Sequence, residues 1–158
     1  MLLVHRIVKT ITEGYNGVQK KVSCHNSFRR IWMEYSAMHQ YLKLIHDSKP
    51  DRKYSWTSIE TTGDRVIIDV SIYFSGYDKQ LVTIQLDGEI SHAAIGGKLQ
   101  HLFLECISSD RIKVIIECTK LRYLAHTAGG WPFVTLAKLV KQNEGIAILV
   151  NCTEEYLT

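Results

Sequence analysis

Residues 111–150 read RIKVIIECTKLRYLAHTAGGWPFVTLAKLVKQNEGIAILV, and this segment settles the class of the molecule. The β-branched run Val114-Ile115-Ile116 within Ile112 to Cys118 predicts a strand covered on both faces. A short polar turn, His126-Thr127-Ala128-Gly129-Gly130, follows it. Phe133, Leu136, Ala137, Leu139 and Val140 then recur at helical spacing. Pro132 lies near the first turn of that helix, where a missing N–H does no harm. Asn143-Glu144-Gly145 ends the helix, and Ile146 to Val150 is a second buried strand. A strand, a crossover helix and another strand predict a parallel pair. The turn is the most informative local feature, because a helix N-terminus presents unpaired backbone N–H groups that attract anions.

Working outward, Val66, Ile67, Ile68, Val70, Ile72 and Phe74 form one β-branched run, and Leu81, Val82, Ile84 and Leu86 form another. The turn residues Ser75-Gly76-Tyr77-Asp78 between them predict a hairpin. Asp87-Gly88-Glu89 closes the second strand, and Ala93, Ile95, Leu99, Leu102, Phe103, Cys106 and Ile107 carry a helical stripe. Thr153-Glu154-Glu155 resembles the cap of a last helix. From Arg65 the order is therefore β-β-α-β-α-β-(α). This predicts an α/β fold with a mainly parallel four- to five-stranded sheet flanked by helices.

Residues 48–63 are polar and read as a connection containing a short strand at Tyr54 to Ile59. Before them Phe28, Ile31, Trp32, Tyr35, Met38, Leu42 and Ile45 recur at helical spacing, predicting an amphipathic helix over about residues 27–47. Positions 28, 31, 35, 38, 42 and 45 also fit a short heptad pattern, which allows a homodimer through this helix, although fewer than three heptads with aromatic residues on the stripe favour a helix packed on its own domain. The predicted organisation is an N-terminal extension, residues 1–63, and an α/β domain, residues 64–158.

Of 158 residues, 46% are hydrophobic and 22% charged, ordinary for a globular domain, and the length suits one domain. The formal charge of +3 comes without a dense basic run, so composition gives nucleic-acid binding little support. Cys24, Cys106, Cys118 and Cys152 stand far apart with no zinc spacing, and read as reduced thiols. The start, Met1-Leu2-Leu3-Val4-His5-Arg6, lacks the pattern of a secretory signal. No apolar run approaches the ~18 residues that span a bilayer. The expectation is a cytoplasmic protein without membrane insertion.

No phosphate-loop lysine and no Gly-x-Gly-x-x-Gly accompany the turn, so a nucleotide or small-ligand site there is the weaker reading. No nucleophile, base and orienting acid stand together, so no catalytic residue, cofactor or metal is predicted. His39 and His46 share a helix face, but want a third ligand at known spacing to bind metal. Trp131 suits a partner-binding anchor or a ring packed over the sheet edge.

Residues 81–158 resemble the STAS domain of anti-sigma factor antagonists and sulfate transporter tails. The resemblance lies in Val82-Thr83-Ile84-Gln85-Leu86-Asp87-Gly88-Glu89-Ile90, similar to a family strand ending Gly-Glu-Leu-Asp. It continues through Val114-Ile115-Ile116-Glu117-Cys118, Leu121-Arg122-Tyr123-Leu124, the strand-to-helix turn and Ile148-Leu149-Val150-Asn151. The family's turn reads Asp-Ser-Ser/Thr/Ala-Gly-Leu, with the hydroxyl after the Asp phosphorylated by a partner kinase. Aligned on the glycine, His126 takes the Asp position, Thr127 the acceptor position and Gly129 the glycine. Gly130 replaces the Leu, and Ser91 stands at the Asp after Gly-Glu-Leu. The resemblance implies a non-enzymatic regulatory interaction module resembling an anti-sigma factor antagonist, with Thr127 as phosphoacceptor candidate. His126, Ala128, Gly129, Gly130 and Trp131 would contact a partner of the anti-sigma factor or switch kinase class. The alternative is a structural, assembly or dimerisation component without a phosphorylation cycle.

Overall fold

Alternation of apolar and polar residues builds the sheet, and the connections decide its strand directions. The computed structural model describes residues 38–59, 62–76, 79–107, 113–125 and 130–151. The strands are β1 (Arg52–Ile59), β2 (Arg65–Ser75), β3 (Leu81–Ile90), β4 (Lys113–Leu124) and β5 (Ile146–Val150). The helices are α1 (residues 38–46), α2 (Ala93–Cys106) and α3 (Gly130–Gln142).

The five strands lie in sequence order across one sheet. β1 and β2, and likewise β2 and β3, run antiparallel, whereas β3, β4 and β5 are parallel. The sheet is thus mixed, and the expectation of a mainly parallel one is corrected. The reason lies in the loops: the strands up to β3 are joined by short turns that can only reverse the chain, and only α2 and α3 are long enough to return it to the same end. β1 also runs longer than the short strand expected, and it pairs with β2 along its length. The division at residues 63 and 64 therefore falls between two paired strands of one sheet.

Register stacks the apolar residues on one face. Ile72 stands opposite Ile84, Ile84 opposite Ile116, and Ile116 opposite Leu149. α2 and α3 cover that face. α2 buries Ile95, Leu99, Leu102, Phe103 and Cys106, a stripe with helical period. α3 buries Pro132, Phe133, Leu136 and Val140. The two helices meet through Phe103 and Phe133, edge to face with ring centroids 5.7 Å apart. The end of α3 is fixed by Gly145, whose N–H donates to the Val140 carbonyl at 2.8 Å, while Glu144 takes a left-handed conformation with φ 56°.

β4 continues six residues beyond Cys118, where its apolar run ends, to Leu124. This extension carries register shifts opposite Gln85/Asp87 and Gly88/Glu89, so the strand bends where it approaches the turn. Gly88 at the second shift has φ +127°, and a Cβ there would stand 2.2 Å from the Ile67 carbonyl oxygen. Only glycine fits between β2 and β3 at this point.

α1 lies on the opposite face of the sheet. Its residues 38–46 match the predicted amphipathic helix in part, with Leu42 and Ile45 buried. Trp32 and Tyr35, the residues read as a dimer contact, lie outside the described residues, as does the helix cap at Thr153-Glu154-Glu155.

Candidate functional site

β4 delivers the chain to the carboxyl end of the parallel part of the sheet. The Ala125 N–H donates to the Ile90 carbonyl at 2.8 Å, so the ends of β3 and β4 lie side by side. This edge, outside the carboxyl ends of parallel strands, is where open α/β sheets place their contacts. His126, Thr127, Ala128 and Gly129 fall outside the described residues. Gly130 opens α3 and is half-buried. Trp131, on the first turn, is 59% exposed.

The chemistry around Trp131 is cationic. The Lys138 ammonium lies 5.7 Å from the indole centroid, within cation–π range. α3 has no acidic residue in its first turn and presents the positive end of its dipole there. Beside the same edge, His92 caps α2 by accepting the Ala94 N–H at 3.5 Å. Ser91, one residue past β3, has a buried hydroxyl without a partner among the described residues. Together these features set one large exposed aromatic, at the start of α3, beside a lysine, with a buried hydroxyl, unpartnered among the described residues, nearby. They include no nucleophile paired with a base.

A second polar constellation sits on the sheet face under α1. Glu117 is 1% exposed at the centre of β4. Its carboxylate accepts from the Thr119 N–H at 3.0 Å, the Thr119 hydroxyl, Gln85 Nε2 at 3.1 Å and Asn151 Nδ2 at 3.4 Å. His46 Nε2 of α1 approaches it at 3.5 Å. Burial by itself would raise this carboxyl above its ordinary value, but the hydrogen bonds from Thr119, Gln85 and Asn151 outweigh it and hold the group below that value. The Tyr73 hydroxyl reaches Gln85 Oε1 at 3.5 Å. Burial raises the Tyr73 phenol above 10.0; a hydrogen bond to Ser71 counters this and the Glu117 charge adds to it. Sequence reasoning passed over Glu117 because it stands inside an apolar run. That position was itself the signal, since a carboxylate in a strand buried on both faces must find donors.

Neither a family model nor a curated protein sequence matches the chain. Among solved structures, the chain is similar to an antisigma-factor antagonist, a STAS domain, from Rhodobacter sphaeroides. Identity is 9%, the match covers 53% of this chain and 86% of that one, and the TM-score is 0.43.

Proposed function

We propose that this chain is a non-enzymatic regulatory module that binds a protein partner through residues 126–130 and the first turn of α3. The observation that carries this reading is Trp131, a large aromatic left 59% exposed beside the carboxyl ends of β3 and β4. Exposed tryptophan on a rigid helix start is the kind of anchor around which interface energy concentrates. The order of elements from Arg65 onward, read together with the sequence resemblance, supports a partner of the anti-sigma factor or switch kinase class. Thr127 is the hydroxyl through which such a contact would be switched, since a phosphate adds nearly two negative charges beside a cationic helix.

An assembly role draws support from Ile59 and Ile67, diagonal neighbours on the second sheet face, which are 70% and 42% exposed. Among the described residues no helix is long and apolar enough to cross a membrane.

Affinity capture from the native host tests the proposal, with wild-type protein beside Trp131→Ala and Thr127→Asp, their folds checked by circular dichroism. The proposal expects one protein retained by wild type and lost with Trp131→Ala. Equal retention by all three, or a mass that depends on Ile59 and not on Trp131, would favour assembly.

A further inference from the structure

The two faces of the sheet are held in different ways. The buried core is drawn from β2 to β5, α2 and α3, and contains no residue of α1. On the other face α1 contributes two buried apolar side chains, Leu42 and Ile45, while Leu44 on the same helix is 70% exposed. Its remaining described attachments are polar. The Tyr41 hydroxyl lies 2.7 Å from both the Ser75 and the Thr83 hydroxyls, and His46 approaches Glu117.

Beneath α1 the sheet is polar except at Ile115, the register neighbour of Thr83, which is 5% exposed. Glu117 keeps its bonds to Thr119, Gln85 and Asn151 whether or not α1 is present. Tyr73 and Gln85 bond to each other. The register places Lys53, Ser71, Gln85 and Glu117 in one polar row across the sheet. A groove of about 250 Å³, lined in part by Lys53, Ser71, Gln85 and Lys120, is already open beside the helix.

The connection to β1 has a fixed point and a short free length. α1 ends where the Ser48 N–H and hydroxyl both donate to the Ile45 carbonyl, at 3.0 and 2.8 Å. Asp51 is pinned to β2: its N–H donates to the Ile72 carbonyl at 2.9 Å and its carboxylate accepts the Phe74 N–H at 2.8 Å. The Asp47 N–H also donates to the Lys43 carbonyl, at 3.2 Å, so residues 49 and 50 are left as the hinge.

From this arrangement we infer that α1 is a releasable strap, which lifts as a unit about residues 49 and 50 while the sheet, α2 and α3 stay folded. Lifting it extends the groove from Tyr73 over Thr83 and Glu117 and presents hydroxyl, amide and carboxylate groups beside Ile115. Segments with few buried apolar contacts open below the free energy of global unfolding. Among the described residues this strap has two such contacts and a largely polar seat, whereas the opposite face has a continuous apolar core.

Native-state hydrogen exchange on the full chain, followed across low urea concentrations, reads this directly. The amides of residues 42–46 should exchange at least ~100-fold faster than those of Ile84 and Ile116, with almost no urea dependence, as for sub-global opening. Tyr41→Phe, which removes both hydroxyl contacts, should speed the α1 amides about tenfold and leave Ile84 and Ile116 unchanged. Leu42→Ala should do the same by loss of apolar contact. Exchange of α1 in step with β3, with the same urea slope, or equal acceleration of both regions by either variant, would overturn the inference.

Discussion

Gly88→Ala isolates one backbone requirement of the sheet. The residue has φ +127°, and a Cβ would meet the Ile67 carbonyl oxygen at 2.2 Å, the Ile68 Cα at 3.0 Å and the Ile67 carbonyl carbon at 3.1 Å. All three are backbone atoms of β2, so no rotamer change relieves the contact. Ordinary carbon–oxygen contacts begin near 3.3 Å, so the strands must part by about 1 Å. Displacement of that size stretches the neighbouring N–H···O bonds, normally ~2.9 Å, beyond bonding range. One buried backbone bond lost costs about 1–3 kcal/mol, and the positive φ adds about 1–3 kcal/mol. The expected destabilisation is about 2–6 kcal/mol, a large share of the 5–15 kcal/mol typical of a domain. In urea unfolding the midpoint should fall by about 2 M if the slope is near 2 kcal/mol/M. Gly97→Ala serves as the control: a Cβ in the middle of α2 meets nothing within 4 Å, so alanine should stabilise by about 0.5–1 kcal/mol. A Gly88→Ala protein within about 0.5 kcal/mol of wild type, the usual range for a neutral surface change, would refute the reasoning about the β2–β3 contact.

Glu117→Gln should lower stability at neutral pH by about 1–3 kcal/mol in chemical denaturation, through loss of charge-assisted bonds. Because the folded carboxyl lies below its ordinary value of 4.5, the wild-type contribution is complete above that pH and disappears as pH falls through the folded value. Wild type should therefore lose its advantage over the variant in acid, and parallel stability profiles from pH 7 to 3 would count against it. Glu144→Gly should raise stability by about 0.5–1 kcal/mol in the same assay, since its φ of 56° suits glycine. Phe133→Ala should cost about 3–5 kcal/mol, because it empties the contact with Phe103 between α2 and α3.

The fold was legible wherever one face of an element is buried. Ile68, Val70 and Ile72 alternate with partly exposed residues, and Ile95, Leu99 and Phe103 keep a helical period, because each element packs against one layer. Val114 to Cys118 reads as a strand covered twice, and the structure places α2 and α3 on one side and α1 on the other. Strand direction was less legible, since alternation within β2 and β3 says nothing about the neighbour's direction. β1 was under-read because Ser55, Thr57 and Ser58 at an edge dilute its pattern. The exposed half of the candidate site was visible as Trp131 after two glycines. Glu117 was not, because its donors Gln85 and Asn151 come beside it only through the pairing of β4 with its neighbours.

Site-specific photo-crosslinking tests the central claim most directly. A photoreactive phenylalanine analogue placed at residue 131, within the full chain in its native host, should trap one defined protein partner. The same group at Lys53 on the opposite sheet face should trap none. A partner trapped at residue 53 and not at 131 would contradict the account.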